Sequence, residues 1–331
     1  MFIDMHCDTL GKIRDLRNAG SYSSLMDADS LQVNIKKMKT AGYSLQNFAV
    51  FINLAENRDP FENAMELVDI FEQELSDKKE YISAVKSYAD IEKNMKENRM
   101  SALLTLEEGG MCCGDPDKLM EFYRRGARMM TICWNYENEL GYGAACVPEN
   151  AGFFGKEQKA AQDRYGLKKK GFEFIELMEA IGMIPDVSHL SDDGFYDVCK
   201  AAGKPFVASH SNARSVCGHP RNLTDDMLRQ MGERGCVAGL NFYPAFLNAQ
   251  ADHTEGLKSI AEHAVHMIAK GGSELVGLGT DYDGFGGGSM PEDCSGMMLL
   301  EDAFKKAGLS ASQIDGIFSK NVLRLYREVL R

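Results

Sequence analysis

The first side chains with chemistry to offer stand within eight residues of the N-terminus. Phe2 to Met5 is a short, largely apolar run that leads into His6-Cys7-Asp8. Residues two apart in a strand point to the same face, so His6 and Asp8 are expected to project together from a strand end. An imidazole beside a carboxylate suits a divalent metal such as zinc. Most H-x-D triplets bind nothing, so the case depends on further ligands elsewhere in the chain.

Four more candidates, Glu108, His189, His210 and Asp281, each follow a β-like segment. Each has a plain structural reading. Glu108 fits a polar turn before Gly109-Gly110, and Glu107 is the alternative to it for a functional role there. His189 could cap a helix, and His210, in Ser209-His210-Ser211, could be a satisfied loop residue. Their joint placement at strand ends is what points to chemistry. Such a set suits hydrolysis at two metals, where a bridging carboxylate holds ions ~3.5–4 Å apart and both polarise one water. Two histidines on one ion and a His/Asp pair on the other complete the ligands. A further carboxylate then acts as base and acid. By contrast, His253, His263 and His266 lie in or beside a helix and read as surface residues, and His219 lies in a loop.

The elements that must position these residues alternate between β-like and amphipathic helical segments. Strands are expected at Phe2 to Met5, Ser44 to Ile52, Ser101 to Leu106, Ala127 to Cys133, Met183 to Ser188, Pro205 to Ser209, Cys236 to Asn241 and Glu274 to Thr280. Helical patterns cover Ser30 to Thr40, Pro60 to Leu75, Tyr88 to Lys96, Asp117 to Arg125, Leu167 to Ile181, a stretch within His253 to Lys270, and the chain from about Met297 onward. Ser191 and Thr224 are placed as N-caps. Eight strands alternating with helices is the count for a (β/α)8 TIM-type barrel, whose strand C-termini share one face and carry active sites. No G-x-G-x-x-G follows the first strand and no P-loop signature is present, which disfavours a doubly wound nucleotide-binding sheet. With no Pro- or Ser-rich linker and no internal repeat, residues 1–331 read as one domain.

Composition narrows the class further. A hydrophobic content of 44% and a charged content of 26% are those of an ordinary globular protein. The net charge of -12 leaves no Lys/Arg surplus to neutralise phosphates, which argues against nucleic-acid partners. Lys168-Lys169-Lys170 reads as a solvated helix start. A strand beginning at Phe2 leaves no room for a signal peptide, and no apolar run reaches the length of a membrane span. The nine cysteines include no C-x-x-C pair, so the expected setting is a reducing cytoplasm.

Taken together, His6-Cys7-Asp8, Glu108-Gly109-Gly110, Asp186-Val187-Ser188-His189, Ser209-His210-Ser211, Arg221-Asn222 and Gly279-Thr280-Asp281-Tyr282-Asp283-Gly284 resemble the membrane (renal) dipeptidases of the amidohydrolase superfamily, over nearly the whole chain. The resemblance implies two zinc ions per chain, with His6 and Asp8 on one, His189 and His210 on the other, and Glu108 bridging. It implies Asp281 as proton shuttle, with Asp283 its rival, and Arg221 as anchor for the C-terminal carboxylate of a dipeptide. A planar, permanently charged fork suits that last task. It also implies tolerance of a D-residue at the C-terminal position. The chain departs from the mammalian members, which carry another histidine just after the fourth strand; here the stretch is Trp134-Asn135-Tyr136, and Tyr136 is the candidate replacement.

Three long connections, Asn135 to Tyr165, Phe242 to Thr254 and Phe285 to Cys294, are expected over the strand ends. Phe242-Tyr243 would form a wall and Gly286-Gly287-Gly288 a rim. The expected substrates are small dipeptides, with no nucleic acid or membrane as partner. Barrels of this kind often pair as homodimers, although no stretch here marks an interface. Manganese or cobalt are alternatives to zinc, because availability as well as geometry selects the metal. A second reading keeps the metals but takes a cyclic amide, lactone or other amide as substrate; Arg221 discriminates, since a neutral ring needs no carboxylate anchor. A third reading is a barrel that binds metal and has lost catalysis, and the presence of Asp281 opposes it.

Overall fold

Nine strands form one all-parallel sheet in the computed structural model, which describes residues 1–155, 163–286 and 288–330. They are β1 (Phe2–Asp4), β2 (Tyr43–Phe51), β3 (Ile82–Ala84), β4 (Met100–Glu107), β5 (Ala127–Thr131), β6 (Ile184–Asp186), β7 (Val207–Ala208), β8 (Val237–Leu240) and β9 (Val276–Leu278). The sheet runs β2-β1-β9-β8-β7-β6-β5-β4, and β2 pairs with β4 from Leu45↔Ser101 to Phe51↔Glu107, closing the barrel. Helices cover its outside. This is the eight-stranded (β/α)8 barrel expected from the alternation. β3, which the sequence did not signal, pairs with the start of β4 (Ile82↔Met100 to Ala84↔Ala102) before β5 takes over at Leu104.

The inside and outside of the wall follow strand parity. In β4, Ala102, Leu104 and Leu106 join the large cluster beneath the helices, whereas Leu103 joins a smaller cluster with Ile3, Met5, Leu45, Met129, Ile184, Val207 and Val237. That smaller cluster fills the barrel interior. Val322, Leu325, Tyr326 and Val329 of the last helix, Asn321–Val329, enter it at i, i+3, i+4 and i+7. The same helix reaches the starts of β8 and β9: Arg324 donates to Gly235 O and Asn321 to Val276 O. It therefore plugs the end opposite the strand C-termini, and only the other mouth is left for chemistry.

Helix signals held where caps were legible. Ser191 accepts from Gly194 N and Thr224 from Met227 N. The pattern over Ser30 to Thr40 resolves as a shorter helix, Ile35–Ala41, because Asn34 caps it by accepting from Lys37 N. Helix Thr9–Asn18 was not signalled: only Leu10, Ile13 and Leu16 break a mostly polar stretch. One histidine reading is overturned. His263 is fully buried, with Nδ1 accepting from Ala213 N at 3.1 Å and Nε2 facing Leu247 O at 3.0 Å. It lies on the inward face of helix Gly256–Gly271, whereas His253 is exposed and His266 is partly so.

Candidate metal centre and active site

Two buried aspartates tie the strand ends together beneath the site. Asp4 closes β1 and accepts from His6 N, Thr280 N and Thr280 Oγ1. Asp186 closes β6 and accepts from Ser188 N, Ser209 N, Ser209 Oγ and Thr131 Oγ1. Each anchors residues just before or after a candidate ligand. β1 stops at Asp4, so the strand-parity argument for His6 and Asp8 does not apply as stated. Asp8 N instead bonds Tyr282 O and Asp8 precedes the helix from Thr9, yet the two side chains still converge, with His6 Nε2 3.4 Å from Asp8 Oδ2.

The carboxylate at the centre is Glu107, not Glu108. Glu107 Oε2 lies 3.2 Å from His6 Nε2, and Oε1 lies 3.1 Å from His189 Nε2 and 3.6 Å from His210 Nε2. Glu108 turns away at φ 120° and accepts from Gly110 N (2.6 Å), Trp134 N (2.9 Å) and Asn138 Nδ2. The physical reason is parity: Glu107 shares the inward face of β4 with Leu103 and Thr105, and the next residue leaves that face. The sequence sets the two faces apart, since Ala102, Leu104 and Leu106 make the parity of Glu108 wholly apolar, but it does not show which face turns inward.

Around these groups stand the other candidates. His189 and His210 bring their Nε2 atoms to 2.8 Å, and the His6 and His210 rings stack at 3.8 Å. Asp281 Oδ1 lies 3.9 Å from His6 Nε2, while its Oδ2 accepts from Asn241 Nδ2 at 2.9 Å. Asp283 is directed elsewhere: its carboxylate accepts from Thr9 Oγ1 (2.7 Å), Gln32 N (2.8 Å) and Val33 N (3.3 Å), pinning the segment after β1. Glu108, Asn135, His189, Asp281 and Asp283 all have positive φ although none is glycine. Backbone strain of this kind collects where surrounding structure holds functional groups in place.

Arg221 is buried beside this cluster. Its Nη1 donates to Ser211 Oγ (3.2 Å), Nη2 reaches His210 O (3.4 Å), and Nε has no hydrogen-bond partner. Burial pushes its pKa down to about 10, against the pull of Asp281 and Glu107. Tyr136 packs edge-on against Trp134 (5.7 Å), whose ring lies 6.0 Å from that of His189. Asn135, unremarked in the sequence, bonds His189 Nδ1 through Oδ1 at 2.8 Å. Of the expected wall, Phe242 is fully buried against Tyr282, because the turn after β8 directs it into the core, and only Tyr243 stays partly exposed beside Phe246 and Phe285. The middle of the expected rim, Gly287, and residues 156–162 of the long connection lie outside the described residues.

The electrostatics of the cluster fit divalent cations. Burial and the Glu107 charge raise the Asp8 carboxyl to about 6, and burial raises Asp281 to about 8. Burial disfavours a charged His6, but Glu107 and Asp8 outweigh it and hold its pKa well above the usual value. Burial, with Arg221 and His6 adding to it, holds His189 and His210 well below theirs. His6 Nε2 and Asp8 Oδ1 are buried with no hydrogen-bond partner. Crowded carboxylates, neutral imidazoles and orphaned donor atoms are the surroundings that a metal ion satisfies. Two ligand groups stand close enough to share an ion among the described residues: His6, Glu107 and His210, and His6, Asp8 and Asp281.

A sequence model of the membrane dipeptidases (peptidase family M19) matches residues 1–331. The chain belongs to the membrane dipeptidase family. This dipeptidase of a metallopeptidase family is 31% identical over 276 residues to an uncharacterised protein from the pqqA 5′ region of Klebsiella pneumoniae, covering 82% of this chain and 97% of that one. It is 26% identical over 324 residues to dipeptidase aclJ of Aspergillus oryzae, covering 93% of this chain and 72% of the relative. A metallopeptidase from Rhodobacter sphaeroides, solved with a phosphinate mimic of the dipeptide L-Ala-D-Ala, shares the fold with a TM-score of 0.87 at 22% identity, covering 99% of each chain. Despite the family's name, no helix among the described residues is long and apolar enough to cross a membrane.

Proposed function

We propose that this family member is a binuclear zinc dipeptidase in which Glu107 would serve as a ligand to both ions. His6 and Asp8 would hold one ion, and His189 and His210 the other. The observation that carries this reading is the position of Glu107, with one carboxylate oxygen against His6 and the other against His189 and His210. Two ions bound there would supply Lewis acidity for the scissile carbonyl and for a water.

The chain's own residues do the rest. Arg221, buried at the edge of the cluster with Nε unpaired, receives the dipeptide's C-terminal carboxylate by charge-assisted hydrogen bonds. Asp281 takes the proton released by the attacking water and returns it to the leaving amine. Asn241 holds the Asp281 carboxylate through Oδ2, leaving Oδ1 toward His6. Tyr136, packed edge-on against Trp134 in the loop after β5, is assigned a role on the substrate side. The metallopeptidase of the same fold solved with a mimic of L-Ala-D-Ala supports dipeptides as substrates and motivates including D-residues in the test.

The test is turnover of a panel of L-L and L-D dipeptides by metal-quantified protein, with zinc supplied, chelated and restored. Hydrolysis that disappears on chelation and returns with two zinc equivalents is expected. Two bound ions with no turnover of any dipeptide would transfer the site to another amide or lactone substrate. No bound metal after zinc is supplied would overturn the reading.

A further inference from the structure

We infer that Asp186 and Ser209 form a buried relay that fixes the tautomer of His210, so that its Nε2 lone pair is presented to the metal. The inference rests on the binuclear reading above and assigns two positioning residues that do not themselves touch metal or substrate.

The argument is an accounting of protons. The two oxygens of Asp186 face four donors: Ser188 N (2.9 Å) and Ser209 N (2.9 Å) on Oδ1, and Thr131 Oγ1 (2.7 Å) and Ser209 Oγ (2.6 Å) on Oδ2. A serine hydroxyl has one proton, and Ser209 gives its proton to Asp186. Toward His210 Nδ1, 2.7 Å away, the hydroxyl oxygen can then only accept. Nδ1 therefore carries the ring proton, and Nε2, 2.8 Å from His189 Nε2 and 3.6 Å from Glu107 Oε1, is left with its lone pair. Ligating histidines are oriented by the partner of their other nitrogen; here the partner is a hydroxyl whose direction a carboxylate dictates. Ser209 and His210 are fully buried and Asp186 almost so, which keeps the relay away from bulk solvent.

Asp186→Asn tests this with nearly unchanged shape. The amide oxygen keeps the two backbone N–H bonds, so the NH2 group faces Ser209 and donates to it. The Ser209 proton turns to His210 Nδ1, and the ring proton moves to Nε2, where it blocks ligation. Two measurements are made on the full chain: ¹⁵N chemical shifts of the His210 ring in metal-free protein, and zinc affinity by competition with a chromophoric chelator. The expected result is a reversed His210 tautomer and about a 10–100-fold loss of affinity for one of the two zinc ions. A wild-type tautomer with unchanged affinity would overturn the proposal.

If Asp186→Asn fails to fold, Ser209→Ala removes the relay while leaving the carboxylate. A His210 ring that becomes a mixture of tautomers with weakened zinc binding supports the proposal, and wild-type behaviour overturns it. Wild-type protein that binds no zinc would defeat the binuclear reading, whereas the ring shifts would still report on the relay.

Discussion

Glu107 and Glu108 are neighbours in the chain, yet their carboxylates serve different structures. Glu107 reaches His6 and His189 at 3.2 and 3.1 Å, while Glu108 fastens Gly110, Trp134 and Asn138. Glu107→Gln should therefore lower zinc affinity by at least about 10-fold and reduce turnover accordingly. Glu108→Gln should retain both ions and lose stability, because the buried carboxylate loses acceptor capacity that the Asn138–Trp134 segment uses. Zinc stoichiometry and thermal unfolding of the two variants separate these outcomes; metal loss in Glu108→Gln alone would reverse the assignment.

Asp281 and Asp283 divide in the same way. Asp281→Asn is expected to bind two zinc ions and to turn over dipeptide roughly 10²–10⁴-fold more slowly. Asp283→Ala should keep kcat within a few-fold of wild type but lose about 1–3 kcal/mol of stability, since Thr9 Oγ1 and the Gln32 and Val33 N–H groups lose their common acceptor. Near-normal turnover in Asp281→Asn would remove the proton shuttle from that residue.

Arg221→Ala should cost about 10–100-fold in kcat/KM for free dipeptides, the value of hydrogen bonds to a charged group. C-terminally amidated dipeptides, which lack the carboxylate, should lose much less. Comparing the two substrate series in one variant provides the test, and equal losses on both would end the anchoring role.

His263 supplies a pH-dependent term remote from the metals. Burial pushes its pKa down to about 4 from 6.5, and its Nδ1 already accepts from Ala213 N, so a proton there has no place. The unfolded chain takes up that proton below pH 6.5 while the folded chain does not. The neutral ring's contribution is therefore intact above pH 6.5 and is lost as pH falls toward 4, by roughly 3 kcal/mol in total. Urea unfolding of wild type and His263→Gln between pH 7.5 and 4 should show the wild-type advantage shrinking on acidification. Parallel curves would show that His263 does not titrate in this way.

Much of this protein is legible from local pattern. Alternating apolar segments mark the eight barrel strands and most of the helices between them, and that count points to the barrel. The same reading places His6, His189, His210 and Asp281 at one end of it, because a parallel barrel gathers all its strand C-termini on one face. Ser191 and Thr224 announce their helices because capping is decided within four residues.

Other features were set only by tertiary contacts. The choice of Glu107 over Glu108 depends on which parity of β4 faces inward, and neighbouring strands and helices decide that together. Asp281 differs from Asp283 because residues 9, 32 and 33, some 250 positions away, occupy the latter. His263 is buried because its helix packs against the turn after β8, a contact invisible to helical periodicity alone. The link from Asp186 through Ser209 to His210 joins the ends of β6 and β7. Periodicity dictates where a side chain sits along its own element; which partner it meets is decided by packing between elements distant in sequence.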